Sequence, residues 1–240
     1  MKEQTSFLKG IKDGLPICFG YLSISFAFGI YACANGLSIL QAVIMSITNL
    51  TSAGQLASVP IIAAGGTIAE LLISQIVINL RYALMSVSLS QKLGSTVRMF
   101  DRFVIAFANT DEVFAVASSQ DGTVGRKYLY GLILTPPIGW TMGTLLGAAA
   151  GAVLPEMLVS ALGIAIYGMF IAIVMPRVKS ERPTALCVAL STILSCLFYY
   201  VPELSAIPSG FTIIICAVIA SGLFAYIAPI NISEEADSDV

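Results

Sequence analysis

The chain contains no histidine, which removes imidazole zinc ligands, serine–histidine triads and imidazole proton relays together. Charge is scarce. Asp, Glu, Lys and Arg make up 11% of the 240 residues, about half the share of an ordinary soluble domain, and none of them falls between Gly14 and Ala69. No polar stretch between the apolar runs is long enough to fold as a separate soluble domain. The five cysteines, Cys18, Cys33, Cys187, Cys196 and Cys216, lie in or beside apolar runs without CxxC spacing. They read as small packing residues rather than disulfides or metal ligands. No metal, cofactor or nucleic-acid partner is expected.

What is present is apolar length. Hydrophobic residues make up 57% of the chain and the mean hydropathy is +0.90, with repeated runs long enough to cross a bilayer. Outer-membrane barrels would instead show alternating segments of about ten residues. The expectation is an all-α, polytopic helical membrane protein with about five full spans plus two broken or re-entrant segments, or else seven or eight spans. Residues 1–230 read as one transmembrane permease domain and 231–240 as a disordered acidic cytoplasmic tail. The first apolar run lacks a cleavage motif and reads as a retained span.

Asp13 before Gly14-Leu-Pro16 predicts a capped helix start, followed by a span to about Ala34. Ser38 to Ala64 is apolar but interrupted at Thr48–Gln55, either as an unwound stretch lining a cavity or as a kink in one long helix. On the next span, Gln75, Asn79, Tyr82, Ser86 and Ser90 share one helical face. Arg81, with Ser74 and Ser88, lies roughly 130° away from that face at 100° per residue. An arginine at this depth costs about 3 kcal/mol unless it finds a partner or water, so it either snorkels, pairs within a structural core, or lines a polar path. Phe103 to Ser119 contains Asn109-Thr110-Asp111-Glu112, and two adjacent acids in an apolar run are costly. They read either as a helix cap or as functional groups. After Pro136-Pro137, where a bend is expected, Gly139, Gly143, Gly147 and Gly151 recur every fourth residue. Such a ladder marks a helix-packing interface, whose partner is either internal or another subunit. If Ser38–Ala64 and Phe103–Ser119 each enter and leave on one side, Lys92–Arg102, Arg126-Lys127, Arg177–Arg182 and both termini all fall in the cytoplasm. The positive-inside rule therefore favours two re-entrant segments.

Lys12-Asp-Gly-Leu-Pro16, Gly20-Tyr21, Ser52-Ala-Gly54-Gln55, Asn79-Leu-Arg81, Thr110-Asp111-Glu112 and the Trp140–Gly147 stretch, in this order and spacing, closely resemble the AzlC family. That family comprises large subunits of branched-chain amino acid exporters. The resemblance covers nearly the whole chain. It implies export of leucine, isoleucine, valine and methionine driven by the proton-motive force across a bacterial inner membrane. It also implies a small hydrophobic AzlD-like membrane subunit as partner.

The residues themselves agree in kind. An amino acid zwitterion needs an anion site, a cation site and an apolar pocket. A half-helix N-terminus at Gly54-Gln55 is the first candidate for the carboxylate and Arg81 the alternative. Gln75 and Asn79 supply neutral hydrogen bonds to substrate. Asp111 or Glu112 accepts the ammonium or carries the coupling proton, and one of the two is expected to pair with Arg81. A membrane-embedded enzyme using the acids to hold a metal, an assembly subunit built on the glycine ladder, and a transporter of another small substrate are the rival readings.

Overall fold

A computed structural model of the chain describes residues 3–151, 153–155, 157–158, 161, 167–168, 171, 174–176 and 178–228. The predicted tail and most of the Met157–Met175 span lie outside these residues. The described helices are α1 (Phe7–Ala34), α2 (Ile39–Thr48), α3 (Ser52–Ala63), α4 (Ile68–Ser90), α5 (Met99–Phe107), α6 (Asp111–Ser118), α7 (Arg126–Gly151), α8 (Arg182–Tyr200), α9 (Pro202–Ser205) and α10 (Ser209–Ile227). Five of them, α1, α4, α7, α8 and α10, are long and apolar enough to cross a membrane. The fold is an all-α polytopic membrane protein, as the hydropathy pattern predicts.

The α1 helix begins earlier than its sequence suggests. Its N-cap is Ser6, whose hydroxyl accepts from the Lys9 N–H at 3.3 Å. Asp13 is instead nearly two turns past the start and accepts from the Tyr128 hydroxyl at 2.8 Å, so Pro16 lies inside the helix. The Pro136-Pro137 pair does not interrupt α7 either.

The packing axis is the parallel pair α1 and α7. A side chain at Gly10 or Gly14 of α1 would strike the Tyr128 or Leu132 carbonyl of α7. From the other side, one at Gly131, Gly139, Gly143 or Gly147 would strike the carbonyls of Phe7, Cys18, Leu22 or Phe26. Gly151 faces Ile30 more loosely, at 3.7 Å. The ladder is therefore occupied from within the chain, and the two backbones approach as closely as glycine allows.

Two short helix pairs enter this scaffold from opposite ends. The end that carries the α1 and α7 N-termini is marked by the parallel pairing of β1 (Glu3–Gln4) with β2 (Thr123–Val124). A bridge from Leu93 to Val124 brings the α4 C-terminus there, and Lys9 Nζ donating to Gln120 at 2.6 Å brings the α6 C-terminus. Asp101 ties the α5 start to the same end. It accepts from the Arg98 N–H at 2.8 Å and the Tyr130 hydroxyl at 2.8 Å, and it pairs with Arg126 at 3.0 Å. The Arg98 N–H, with help from Tyr130 and the two arginine charges, holds the Asp101 carboxyl below its ordinary range against the opposing effect of burial. So α5 and α6 go in and come out on one side. At the other end, α2 follows α1 through the left-handed Gly36, and α3 returns to α4 through the left-handed Gly65. There Glu70, buried in the first turn of α4, accepts from the Gly210 N–H of α10 at 2.9 Å.

The order long helix, half-helix, break, half-helix thus occurs twice with opposite orientation. Gln41 accepts from the Ser38 N–H, and Asp101 from the Arg98 N–H, each at 2.8 Å. These pairs lie sixty positions apart, as do Asn49 and Asn109 in the two breaks. Inverted duplication of this kind is a recurrent plan of secondary transporters.

Candidate functional site

The breaks lie at Asn49-Leu50-Thr51 and Ala108-Asn109-Thr110. In the first, Thr51 caps α3 by accepting from the Gly54 N–H at 2.9 Å. The interruption therefore sits before Gly54-Gln55 rather than at it, because a threonine cap starts the half-helix and Gly54 falls inside its first turn. In the second, Thr110 is the N-cap of α6, which puts Asp111 and Glu112 in the first turn. Carboxylates there meet the positive end of the helix.

Where the breaks meet α1 and α7, a cavity of about 240 Å³ opens. Ser52 and Ala53 of α3, Arg81 and Tyr82 of α4, and Asp111 and Glu112 of α6 line its polar side. Tyr21, Ile24, Leu50 and Trp140 line its apolar side. One Arg81 nitrogen donates to both Asp111 oxygens at 2.7 and 2.6 Å, and the other donates to the Tyr82 hydroxyl at 2.9 Å. The pair is about half exposed (side chains 45% and 46%), so Arg81 is both paired and open to the cavity. Glu112 accepts from the Tyr21 hydroxyl. The two adjacent acids thus have different partners, a cation for one and a neutral phenol for the other.

Gln55 is fully buried and does not line the cavity. Its Oε1 accepts from Trp140 Nε1 at 2.9 Å, and its Nε2 donates to the Ser46 hydroxyl at 3.1 Å. Ser46 in turn bonds Thr144 at 2.7 Å. This knot fixes both arms of the first broken segment to α7 and sets the Trp140 ring edge-on to Tyr21, with centroids 5.2 Å apart. Trp140→Phe should leave Gln55 Oε1 unpaired in a dry site, at a cost of about 1–3 kcal/mol. The expected result is a lower thermal unfolding midpoint in detergent; an unchanged midpoint would remove the knot from the account.

Gln75 also lies behind the cavity. Its Nε2 donates to the Gly54 carbonyl at 3.0 Å and the Ser58 hydroxyl at 2.9 Å, while its Oε1 accepts from Asn49 and Asn79, both at 3.1 Å. A side chain at Gly54 would meet Gln75 Oε1 at 2.5 Å, so this glycine lets α3 and α4 interlock. The rest of the α4 stripe faces open space. Asn79 and Tyr82 line a second cavity between the two breaks, and Ser86 and Ser90 line a third toward the β1–β2 end. Leu50 and Tyr82 border the first and second cavities, and Ala106 and Asn109 the second and third.

Tyr21 and Trp140, named above only as parts of motifs, are the site residues whose role no local pattern indicates; each is placed by a contact with a remote segment. Glu70 carries no local signal either, because its bond spans 140 positions.

No solved structure matches the chain. Among proteins similar to it is the "Inner membrane protein YgaZ" of Escherichia coli, 28% identical over 190 residues, covering 76% of this chain and 77% of that one. An "Uncharacterized membrane protein" of Archaeoglobus fulgidus is 29% identical over 187 residues, 77% of this chain and 82% of that one. Another protein with that description, from Helicobacter pylori, is 25% identical over 153 residues, 61% and 66% of the two chains. The model of the AzlC protein family matches residues 16–154, which takes in α2 to α7, most of α1, both breaks and every lining residue of the first cavity except Val174. The chain belongs to the AzlC family.

Proposed function

We propose that this protein is the large subunit of a proton-coupled secondary transporter that exports branched-chain amino acids. The observation that carries the reading is the first cavity, which offers opposite charges and an apolar wall within one small volume. At about 240 Å³ it is below the usual range for drug-sized ligands and suits a small solute. The free N–H groups at the start of α3, together with Arg81, suit a carboxylate. Asp111 and Glu112 suit an ammonium, and Tyr21, Ile24, Leu50 and Trp140 suit a branched aliphatic side chain. Gln75, Gly54 and Gln55 support this site from behind and are not assigned substrate contacts.

Counterflow of labelled leucine in vesicles, with and without a small hydrophobic AzlD-like subunit, tests the reading. Exchange of leucine, isoleucine and valine is the expected result. No exchange under either condition sinks the substrate assignment. The glycine ladder being filled by α1, such a subunit docks elsewhere. α8 has no buried residue, and it is the face we assign to partner or lipid.

In this reading the protein lies in a bacterial inner membrane with its β1–β2 end in the cytoplasm, because Lys9, Lys92, Arg98, Arg126 and Lys127 gather there. With native cysteines replaced, Ser95→Cys and Asp121→Cys should react only with reagents supplied from the inside, and Ala64→Cys only from the outside. Labelling of Ser95→Cys from outside would reverse the orientation.

A further inference from the structure

We infer that the second cavity, between the tips of the two broken segments, is a binding site for a monovalent alkali cation. Its volume is about 220 Å³, and among the described residues no Lys, Arg, Asp or Glu lines it. Its polar part is neutral, made of asparagine and threonine beside Leu50, Ala106 and Phe107. Asn79 and Asn109 line it, the Oδ1 of each is buried without a hydrogen-bond partner, and Asn109 as a whole is only 2% exposed. Thr48, Thr51 and Thr110 border the same space.

The orientation of Asn79 follows from its neighbours. The Gly54 carbonyl only accepts, so Gln75 must turn its Nε2 toward it. Gln75 Oε1 then faces Asn49 and Asn79, and both must donate through Nδ2. Asn79 is thereby left presenting its oxygen elsewhere. Asn109 uses its Nδ2 on Ser86 at 3.2 Å, a residue of the third cavity.

The backbone brings helix ends of both signs to this wall. α2 ends at Thr48 and α5 at Phe107, both on the wall of this cavity. A helix C-terminus leaves its last carbonyls unpaired and carries a partial negative charge. Two such ends meet the N-caps of α3 and α6, Thr51 and Thr110, at the same wall, so the helix charges offset and the unpartnered side-chain oxygens set the preference. Unpartnered acceptor oxygens repel an anion and attract a cation. With no carboxylate among the ligands, the cavity suits a single positive charge better than calcium or magnesium, which take carboxylate oxygens. Discontinuous helices coordinate sodium through such ends in other transporter folds. An ion here holds the two tips together, and Leu50 and Tyr82, which border the first cavity too, carry its presence to that site.

The inference stands apart from the amino acid reading, and its test reads ion binding alone. The full chain, purified in detergent, is heated in sodium chloride and in choline chloride at equal ionic strength. Sodium should raise the unfolding midpoint saturably and choline should not. Binding of radioactive sodium should likewise saturate, at one ion per chain. Asn109→Leu should abolish both effects. Asn109→Asp, which keeps the shape and adds a carboxylate, should lower the sodium concentration at half-saturation at least tenfold and admit calcium. Should Asn109→Leu not fold, Asn109→Asp and Asn79→Ala decide between the outcomes. Equal midpoints in sodium and choline overturn the inference and leave the cavity to water. A sodium effect that neither Asn109→Asp nor Asn79→Ala alters overturns it as well, since the ion then sits elsewhere.

Discussion

Glu112→Gln should abolish leucine accumulation against a gradient while leaving leucine exchange between the two faces nearly intact. Exchange needs no net proton movement, whereas accumulation in a proton-coupled carrier does. Glu112 is the acid to change because its partner is the neutral Tyr21 hydroxyl, so gaining or losing a proton there breaks no ion pair. Asp111→Asn should behave differently. Arg81 would lose the carboxylate that chelates one of its nitrogens and keep only Tyr82 in an apolar layer where an arginine is costly. The pair is half exposed to the cavity, which moderates the loss. The expected signature is reduced yield of folded protein and loss of exchange as well as accumulation. Transport assays on both variants, normalised to folded protein, check the split. If both accumulate leucine normally, coupling does not run through this acid pair.

The second large effect is expected at the α1–α7 seam. Gly143 faces the Leu22 carbonyl and the Ser25 hydroxyl with no room for a β-carbon, so Gly143→Leu must drive the two helices apart along their length. Overpacking in a core costs about 1–3 kcal/mol when side chains can yield, and here the obstacle is backbone, which cannot. The expected outcome is no recoverable monodisperse protein. Gly151→Ala is the control: its nearest neighbours, on Ile30, are 3.7 Å away, and it should fold normally. Size-exclusion profiles of the two variants in detergent make the comparison. A monodisperse Gly143→Leu protein would show that the seam tolerates separation.

The ladder was visible in the sequence because four glycines at helical spacing define a face whatever packs on it. Its partner was not, since Gly10, Gly14 and Gly29 of α1 carry no label that couples them to residues more than a hundred positions later. The re-entrant segments were legible through charge, because only that arrangement collects the basic loops at one end. Their breaks were less so. Glycine suggested unwinding at Gly54, but Thr51 supplies the hydroxyl that starts α3, and the glycine serves close packing with Gln75 instead. The inverted duplication is not legible in the sequence because few side chains repeat. The two copies face different surroundings, and what they share is a cap geometry and one asparagine in each break. Within the site, the polar stripe followed from periodicity, while the Gln55–Trp140 bond joins positions 85 apart and left no local trace.

A seam made of two backbones has a mechanical consequence. Side-chain interfaces absorb small displacements by changing rotamers, and so yield under load. The α1–α7 contact has no rotamers to change over most of its length, and a slip of one residue would set a β-carbon against a carbonyl at several positions at once. It is stiff in translation and locked in register. Any rearrangement that opens the cavities first to one face and then to the other must therefore take place in the elements around this pair, swinging against a keel that does not deform.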